Sequence, residues 1–271
     1  MLTMAIGLCV AVATACWLLA LVTGEHSWTD RIWSVVPLAY VAMFAVDEGF
    51  DVRSSVWTGL VVAWGARLTF NFWRKGGYAR GGEDYRWGIL RARMTRWQFE
   101  LFNIFFVAGY QNALLLLIAL PAWAAAQAKG PLGPLDVVAW ALFVAALVGE
   151  LIADQKQSDI HQAKKAALAR GEVVDPPFCT TGLWRYSRHP NFLFEQSQWW
   201  ALYLGSVAAG AGAVNATIVG PVLLTLLFDG STRFTEAITA GRYPSYADYQ
   251  RTTSRWIPWP PRTAEALAAA D

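Results

Sequence analysis

Residues 2–22 read LTMAIGLCVAVATACWLLALV, an apolar stretch without one charged side chain. A helix of about 20 such residues crosses the hydrocarbon of a bilayer with every backbone polar group satisfied inside the segment. The stretch reads as a membrane helix and sets the class of the chain. A cleaved secretion signal fits it poorly, because MLTMAIGLCV lacks the positive residues that precede the apolar part of such signals. The same test, moved outward, finds spans near 32–50, 55–73, 99–124, 135–153, 191–209 and 212–229. The expectation is an all-α integral membrane bundle of about seven transmembrane helices, with cytosolic loops forming a cofactor site. It is one domain over residues 1–262, followed by a short polar tail, 263–271.

Composition agrees. Of 271 residues, 55% are hydrophobic and 15% charged, and the mean hydropathy of +0.31 lies above the range of soluble domains. The 15 tryptophans suit the headgroup level of a bilayer. A net charge of +2 gives no reason to expect nucleic acid, and no obligate protein partner is evident. Cys9, Cys16 and Cys179 are too scattered for a disulfide framework or a metal cluster and read as small buried thiols.

The distribution of charge says more than its sum. Seven of the 22 Lys and Arg residues fall between Arg74 and Arg96, six between Lys156 and Arg188, and five from Arg233 onward. Seven spans put these segments on one face, leaving Arg53 and Lys129 on the other. The positive-inside rule then places the N-terminus outside and the C-terminus in the cytosol, as in a multi-pass protein of a bacterial inner membrane.

Polarity also enters the spans. Arg67 sits inside VVAWGARLTFNFW, Asp154 and Gln155 end a span, and Asp229 and Arg233 end another. Charge within a membrane normally pairs or faces a watery cavity, so the set points to a polar chamber open to the cytosol. The plainer reading is of interfacial residues snorkelling to headgroups. The run GLWRYSRHPNFLFEQSQWW, residues 182–200, supplies contents for such a chamber. Arg188 offers a fork for phosphate, with Arg74 a candidate on the same grounds. Trp184, Tyr186 and Phe192 offer rings for a flat heterocycle. His189 precedes Pro190, and Asn191 could cap the next helix. No glycine-rich dinucleotide turn or P-loop is present, so any nucleotide is held otherwise. Glu83, Asp84 and Arg86 follow glycines in the most basic loop and either pair to order it toward a cofactor or form a solvated turn. Tyr246, Tyr249 and Arg251 read as a lid folding back, or as a surface anchor.

GLWRYSRHPNF with Glu195, GARLTFNFWRKGGYARGGEDYRW and YADYQRTTSRWIPWPP together resemble bacterial membrane proteins related to steroid 5-alpha-reductases, over nearly the whole chain. The resemblance implies a membrane enzyme that binds NADPH from the cytosol and reduces a carbon–carbon double bond conjugated to a ketone in a lipophilic, possibly steroid-like, substrate. By position it puts Asn191, Glu195 and Asp154 on cofactor contacts, Asp30 on the catalytic acid and Thr29 on its neighbouring glutamine. The partner tyrosine falls on Trp64, whose N–H donates a hydrogen bond but cannot supply a proton as a phenol does. Phe194 stands where relatives have glycine. The cofactor-facing set is then Arg67, Arg74, Asp84, Arg86, Asp154, Tyr186, Arg188, His189, Asn191, Glu195 and Arg233, with Asp30 and Trp64 at the reacting carbonyl.

The chemistry asks for such an acid, because hydride addition to an enone pushes negative charge onto the carbonyl oxygen. A buried Asp30 keeps its proton more readily and can serve. TDRIW also reads as a helix start, which would leave Asp30 a cap alone. RHPNF followed by GRYPSYADY is similar, too, to the isoprenylcysteine carboxyl methyltransferases, which implies S-adenosylmethionine as the alternative cofactor.

Overall fold

The computed structural model describes residues 1–262; the expected tail, 263–271, lies outside the described residues. Among them every regular element is helical. Helix α1 covers Leu2–Thr23 and ends at Gly24, whose left-handed φ of 70° returns its N–H to the Ala20 carbonyl. The short α2 (Trp28–Ile32) leads to α3 (Val36–Asp47). Asp51 caps α4 (Val52–Arg74) by accepting the Ser54 N–H at 2.7 Å. Beyond α5 (Tyr85–Arg93), α6 (Arg96–Phe102) runs through a π-helical stretch, Asn103–Tyr110, into α7 (Gln111–Ala128). Then come α8 (Pro134–Ala169), α9 (Pro190–Ala208), α10 (Val219–Arg242) and α11 (Tyr246–Thr252).

The seven expected spans fall on α1, α3, α4, the α6–α7 rod, α8, α9 and α10. Three helices are long and apolar enough to cross a bilayer: Leu2–Thr23, Arg96–Ala128 and Pro134–Ala169. The chain is accordingly a membrane protein. Helix α3 is apolar but has 12 residues. Helices α4, α9 and α10 are long enough but fall short in apolarity, and their polar residues are largely those that matter below. Only 22% of the apolar window of α1 is buried, and Met4, Ile6, Val10 and Leu18 are exposed, as expected of a helix facing lipid.

Close packing groups the chain into two compact units. Unit 1 holds residues 1–141 and 199–224; among the described residues, unit 2 holds 142–198 and 225–262. In unit 1, Tyr40 and Phe44 of α3, Trp57 and Trp64 of α4, and Leu114, Leu115 and Ile118 of α7 are fully buried. Gly65 permits the close approach of the turn before α3, because a Cβ there would lie 2.6 Å from the Ser34 carbonyl oxygen. Arg53 is buried and makes four hydrogen bonds: Nε meets Asp136 Oδ1 at 2.7 Å, Nη2 meets Oδ2 at 3.0 Å, and the Gly130 and Pro131 carbonyls accept from the same guanidinium at 2.9 Å. Lys129 pairs with Glu48 at 3.7 Å.

Unit 2 is built on α8 from Leu142, the first turns of α9, and α10 from Thr225, closed by α11. Trp184 donates its indole N–H to the Ala153 carbonyl at 3.1 Å, fixing the 182–189 loop to α8. Phe178 stacks on Tyr249 with ring centroids 5.6 Å apart and meets Tyr246 edge-on.

Candidate functional site

In unit 1, Ser27 takes the capping position of α2, and Asp30 sits inside it. The Asp30 carboxylate is used elsewhere: Trp87 donates its indole N–H to Oδ2 at 2.8 Å. Asp84 caps α5 through the Arg86 N–H at 2.9 Å and grips the Arg86 guanidinium with both oxygens, each at 2.9 Å. Its own N–H donates to the Ser27 hydroxyl at 3.0 Å, tying the start of α5 to the start of α2. Burial pushes the pKa of Asp30 up, opposed by the positive charge of Arg86 and the Trp87 hydrogen bond. Burial also works against ionised Asp84, but Arg86 outweighs it and holds that carboxyl below its ordinary value. One cluster thus sets two carboxyls apart, Asp84 an anion committed to Arg86 and Asp30 inclined to keep its proton.

The rest of the 76–91 segment pairs locally. Glu83 accepts from the His26 N–H at 2.6 Å and from Arg91 at 3.0 Å, and Glu25 bonds Arg31 at 2.6 Å and the Gly81 N–H at 2.9 Å. Trp64 lies edge-on to Trp199 at 4.8 Å, and Arg67, three residues on, is buried. Arg74 donates to Asn71 Oδ1 at 2.8 Å and stacks over Phe70.

In unit 2, Arg188 and His189 converge on Glu236 of α10. Arg188 Nε meets Oε1 at 2.7 Å and Nη2 meets Oε2 at 3.2 Å; His189 Nε2 lies 2.9 Å from Oε1, and Gln250 Nε2 donates to Oε2 at 2.9 Å. Arg188 Nη1 also donates to the Gln250 and Thr253 carbonyls. Burial works against the Glu236 anion, yet the bonds from His189, Arg188 and Gln250 bring its pKa down to about 2. The C-terminal segment is strapped to the same loop. Arg188 N–H donates to the Ser254 carbonyl at 2.8 Å, His189 N–H to that of Arg255 at 3.2 Å and Trp259 N–H to that of Tyr186 at 3.0 Å, while the Tyr249 hydroxyl bonds the Trp184 carbonyl. The fold-back expected of Tyr246 and Tyr249 is present, and Arg251 instead pairs with Asp248 on the surface. A cleft of about 350 Å³ opens between Phe178, Arg185, Tyr249 and Thr252. Arg188, read from sequence as a fork for phosphate, and His189, read as a cofactor contact, here grip an internal carboxylate. Tyr186 is exposed, and Arg233 donates to Asp229 at 2.7 Å on the surface beside Arg255, which bonds the same carboxylate.

The remaining expected contacts share a seam between α8 and α9. Glu150, Asp154 and Ser158 recur at helical spacing on one face of α8, and Asn191, Glu195 and Gln198 on one face of α9. Glu150, Asp154, Ser158, Glu195 and Gln198 are buried. Gln198 Nε2 joins the helices by donating to Glu150 Oε2 at 2.7 Å. The Phe194 ring covers Gly149, where a Cβ would come within 2.6 Å of it. Asn191 does not cap α9. Pro190 is the first helical residue, with its fixed φ and missing N–H suited to that place, and His189 takes the capping position, its carbonyl accepting the Leu193 N–H at 3.1 Å. Asn191 Oδ1 is buried and receives no hydrogen bond; neither does Gln198 Oε1. Buried acceptors without donors are costly, so two on one helix face mark a place where a donor belongs.

Four residues here escape a reading of the sequence. Trp87 and Glu236 meet their partners 57 and 47 residues away in the chain, a pairing no local spacing announces. Glu150 and Gln198 stand inside apolar runs and pass as tolerated polarity; their spacing from Asp154 and Asn191 was the signal available.

Helices of membrane-crossing length define a helical membrane protein, and no metal-binding cluster occurs among the described residues. Residues 16–253 match the family described as "Protein of unknown function (DUF1295)", a steroid 5-alpha-reductase-like family, and the chain belongs to it. It is similar to an uncharacterized protein of Schizosaccharomyces pombe, 36% identical across 89% of this chain and 75% of that relative. No solved structure matches.

Proposed function

We propose that the chain is a membrane-embedded, NADPH-dependent reductase of a carbon–carbon double bond conjugated to a ketone in a lipophilic substrate. The observation that carries the cofactor is the α8–α9 seam. Its Asn191 Oδ1, buried without a hydrogen bond, offers an acceptor on the face of α9 that also carries the buried Glu195. NADPH is rich in matching donors, the carboxamide NH2 and the ribose hydroxyls, so the residues fit that half of the molecule. Arg233, in the same unit, is the cation assigned to its phosphates, and Tyr186 the exposed ring assigned to its base. Arg188 and His189 act by holding Glu236, and Arg86 by holding Asp84.

When bound, NADPH supplies the hydride for the β-carbon of the enone. Asp30, whose pKa burial raises, would donate its O–H to the carbonyl oxygen, where negative charge develops, and the enol so formed would tautomerise to the saturated ketone, a solvent proton reaching the α-carbon as the oxygen gives one up. Trp87 anchors Oδ2 and fixes the direction of the carboxyl group. Trp64 remains the second donor assigned to the substrate. The orientation, N-terminus outside and C-terminus cytosolic, rests on the charge distribution, and the bacterial cytoplasmic membrane on the resemblance.

One observation favours a second reading. Glu150, Asp154 and Glu195 make the seam rich in carboxylates, which would also complement the cationic S-adenosylmethionine of a membrane methyltransferase. Thermal unfolding of the purified protein with each cofactor separates the two. NADPH should raise the transition and S-adenosylmethionine should not; the reverse overturns the reductase, and no shift with either removes both enzymes.

A further inference from the structure

A cleft of about 200 Å³ opens in unit 1 where α3 and α7 end and α4 begins. Its floor is apolar, with Phe44, Trp57 and Ala125 buried, and Glu48, Asp51 and Lys129 stand around it. Helix α4 is roughly 35 Å long, so the cleft and the 76–91 segment that follows its far end lie at opposite ends of unit 1. The α6–α7 rod, long and apolar enough to cross a bilayer, ends here at Ala128, which puts the cleft at the level of the headgroups. The charges facing it do not balance. Arg53 is matched by Asp136, outside the cleft, and two carboxylates are left against one lysine. Glu48 is only 16% exposed, yet Lys129, 70% exposed, stands 3.7 Å away, too far for a hydrogen bond, and no closer donor reaches that carboxylate among the described residues. Asp51 uses one oxygen to accept the Ser54 N–H at 2.7 Å. Helices α3 and α7 both bring their partly negative C-terminal ends to this place, while the positive start of α4 is already met by Asp51. A half-buried carboxylate in such a field calls for a cation that carries N–H donors.

We propose that this cleft binds the headgroup of a phosphatidylethanolamine molecule of the bilayer, Glu48 and Asp51 accepting from its ammonium and Lys129 meeting the phosphate two carbons away. An acid within the cleft and a lysine at its mouth match the order of charge in that headgroup, read inward from the phosphate. A trimethylated ammonium has no hydrogen to donate, and a metal ion would have to leave its water for an apolar floor. Val46, Phe50 and Val52, exposed apolar side chains of the same α3–α4 turn, offer contact to the lipid's chains, which a soluble amine lacks. The site goes beyond the reductase reading and does not rest on it.

The test uses the full chain in detergent, its thermal unfolding titrated with dihexanoyl phosphatidylethanolamine, with dihexanoyl phosphatidylcholine and with phosphoethanolamine. The ethanolamine lipid should stabilise at a roughly tenfold lower concentration than the choline lipid, because the hydrogen bonds to its ammonium have no counterpart there. Phosphoethanolamine, without chains, should act only at far higher concentration. Glu48→Gln should bring the two lipids within roughly threefold of each other. Lys129→Asn, which suits the φ of 52° at that position, should weaken both lipids alike and keep the preference. Both variants break the same ion pair, so a pair with a structural role alone would make them behave alike. Equal action of the two lipids on the unaltered protein, stabilisation by neither, a preference that survives Glu48→Gln, or one lost to the same extent in both variants would overturn the site. Phosphoethanolamine acting at the concentration of its lipid would overturn the bilayer as the source. The lipid comparison on the unaltered chain decides by itself if a variant does not fold.

Discussion

Replacing Glu236 with Ala strands an arginine, a histidine and a glutamine side chain around an empty centre. Arg188 loses two of its bonds, at 2.7 and 3.2 Å, His189 and Gln250 lose one each at 2.9 Å, and the strap that carries Gln250 and Thr253 loses its charged anchor. The carboxyl's fall from 4.5 to about 2 corresponds to about 3 kcal/mol of stabilisation, at 1.36 kcal/mol for each tenfold change. Because Arg188, His189 and Gln250 can relax toward other partners once the carboxylate is gone, roughly 2 kcal/mol is the expected loss at neutral pH. For a chain of this size that is a drop of roughly 4–8 °C in the melting transition, followed by circular dichroism in detergent. The folded pKa lies below the ordinary one, so the contribution is complete above about pH 5 and is lost as the pH falls toward 2. Between those limits the unaltered protein should lose stability more steeply than Glu236→Ala. A variant melting within about 1 °C of the parent, with the same acid profile, would refute the idea that this carboxylate holds the strap.

Trp87→Phe removes the donor to Asp30 while keeping a ring; it should cost about 1 kcal/mol and let the Asp30 carboxyl keep its proton to higher pH, seen as a protonated-carboxyl infrared band that persists further into the alkaline range. Arg53→Ala leaves Asp136 buried without its partner and should cost about 3–5 kcal/mol in chemical denaturation, whereas Arg53 and Asp136 replaced together by apolar residues should recover much of it. Gly65→Ala forces a methyl against the Ser34 carbonyl and should cost about 1–3 kcal/mol, measured as a lowered melting transition.

The helices were legible because their signal is local. An uncharged run such as 2–22 needs no partner to declare itself, and α1 ends within a residue of the expected boundary. Asp154, Asn191 and Glu195 were legible as polar residues at the ends of apolar runs, and the structure brings them to facing sides of α8 and α9. What the sequence could not carry was closure. Arg188 looked like a phosphate ligand because an arginine beside histidine and asparagine has no visible counter-charge nearby; Glu236, 48 residues on, supplies it only through the fold. Asp30 looked equally like a helix cap, and only the meeting of α2 with α5 gives it Trp87 and a raised pKa. Gln198 was hidden for the opposite reason, since one amide in an apolar run reads as noise until its oxygen is found buried without a donor.

The central claim, that Asp30 completes a reduction begun by NADPH, is tested most directly by isotope transfer. Purified protein is incubated with NADPH carrying deuterium at the transferable position of the nicotinamide and with a steroid enone, and the products are read by mass spectrometry. The account predicts a saturated ketone carrying one deuterium at the β-carbon, absent with Asp30→Ala although that variant still gains thermal stability from NADPH. A product that forms equally well without Asp30, or no deuterium transfer by the unaltered protein, would contradict it.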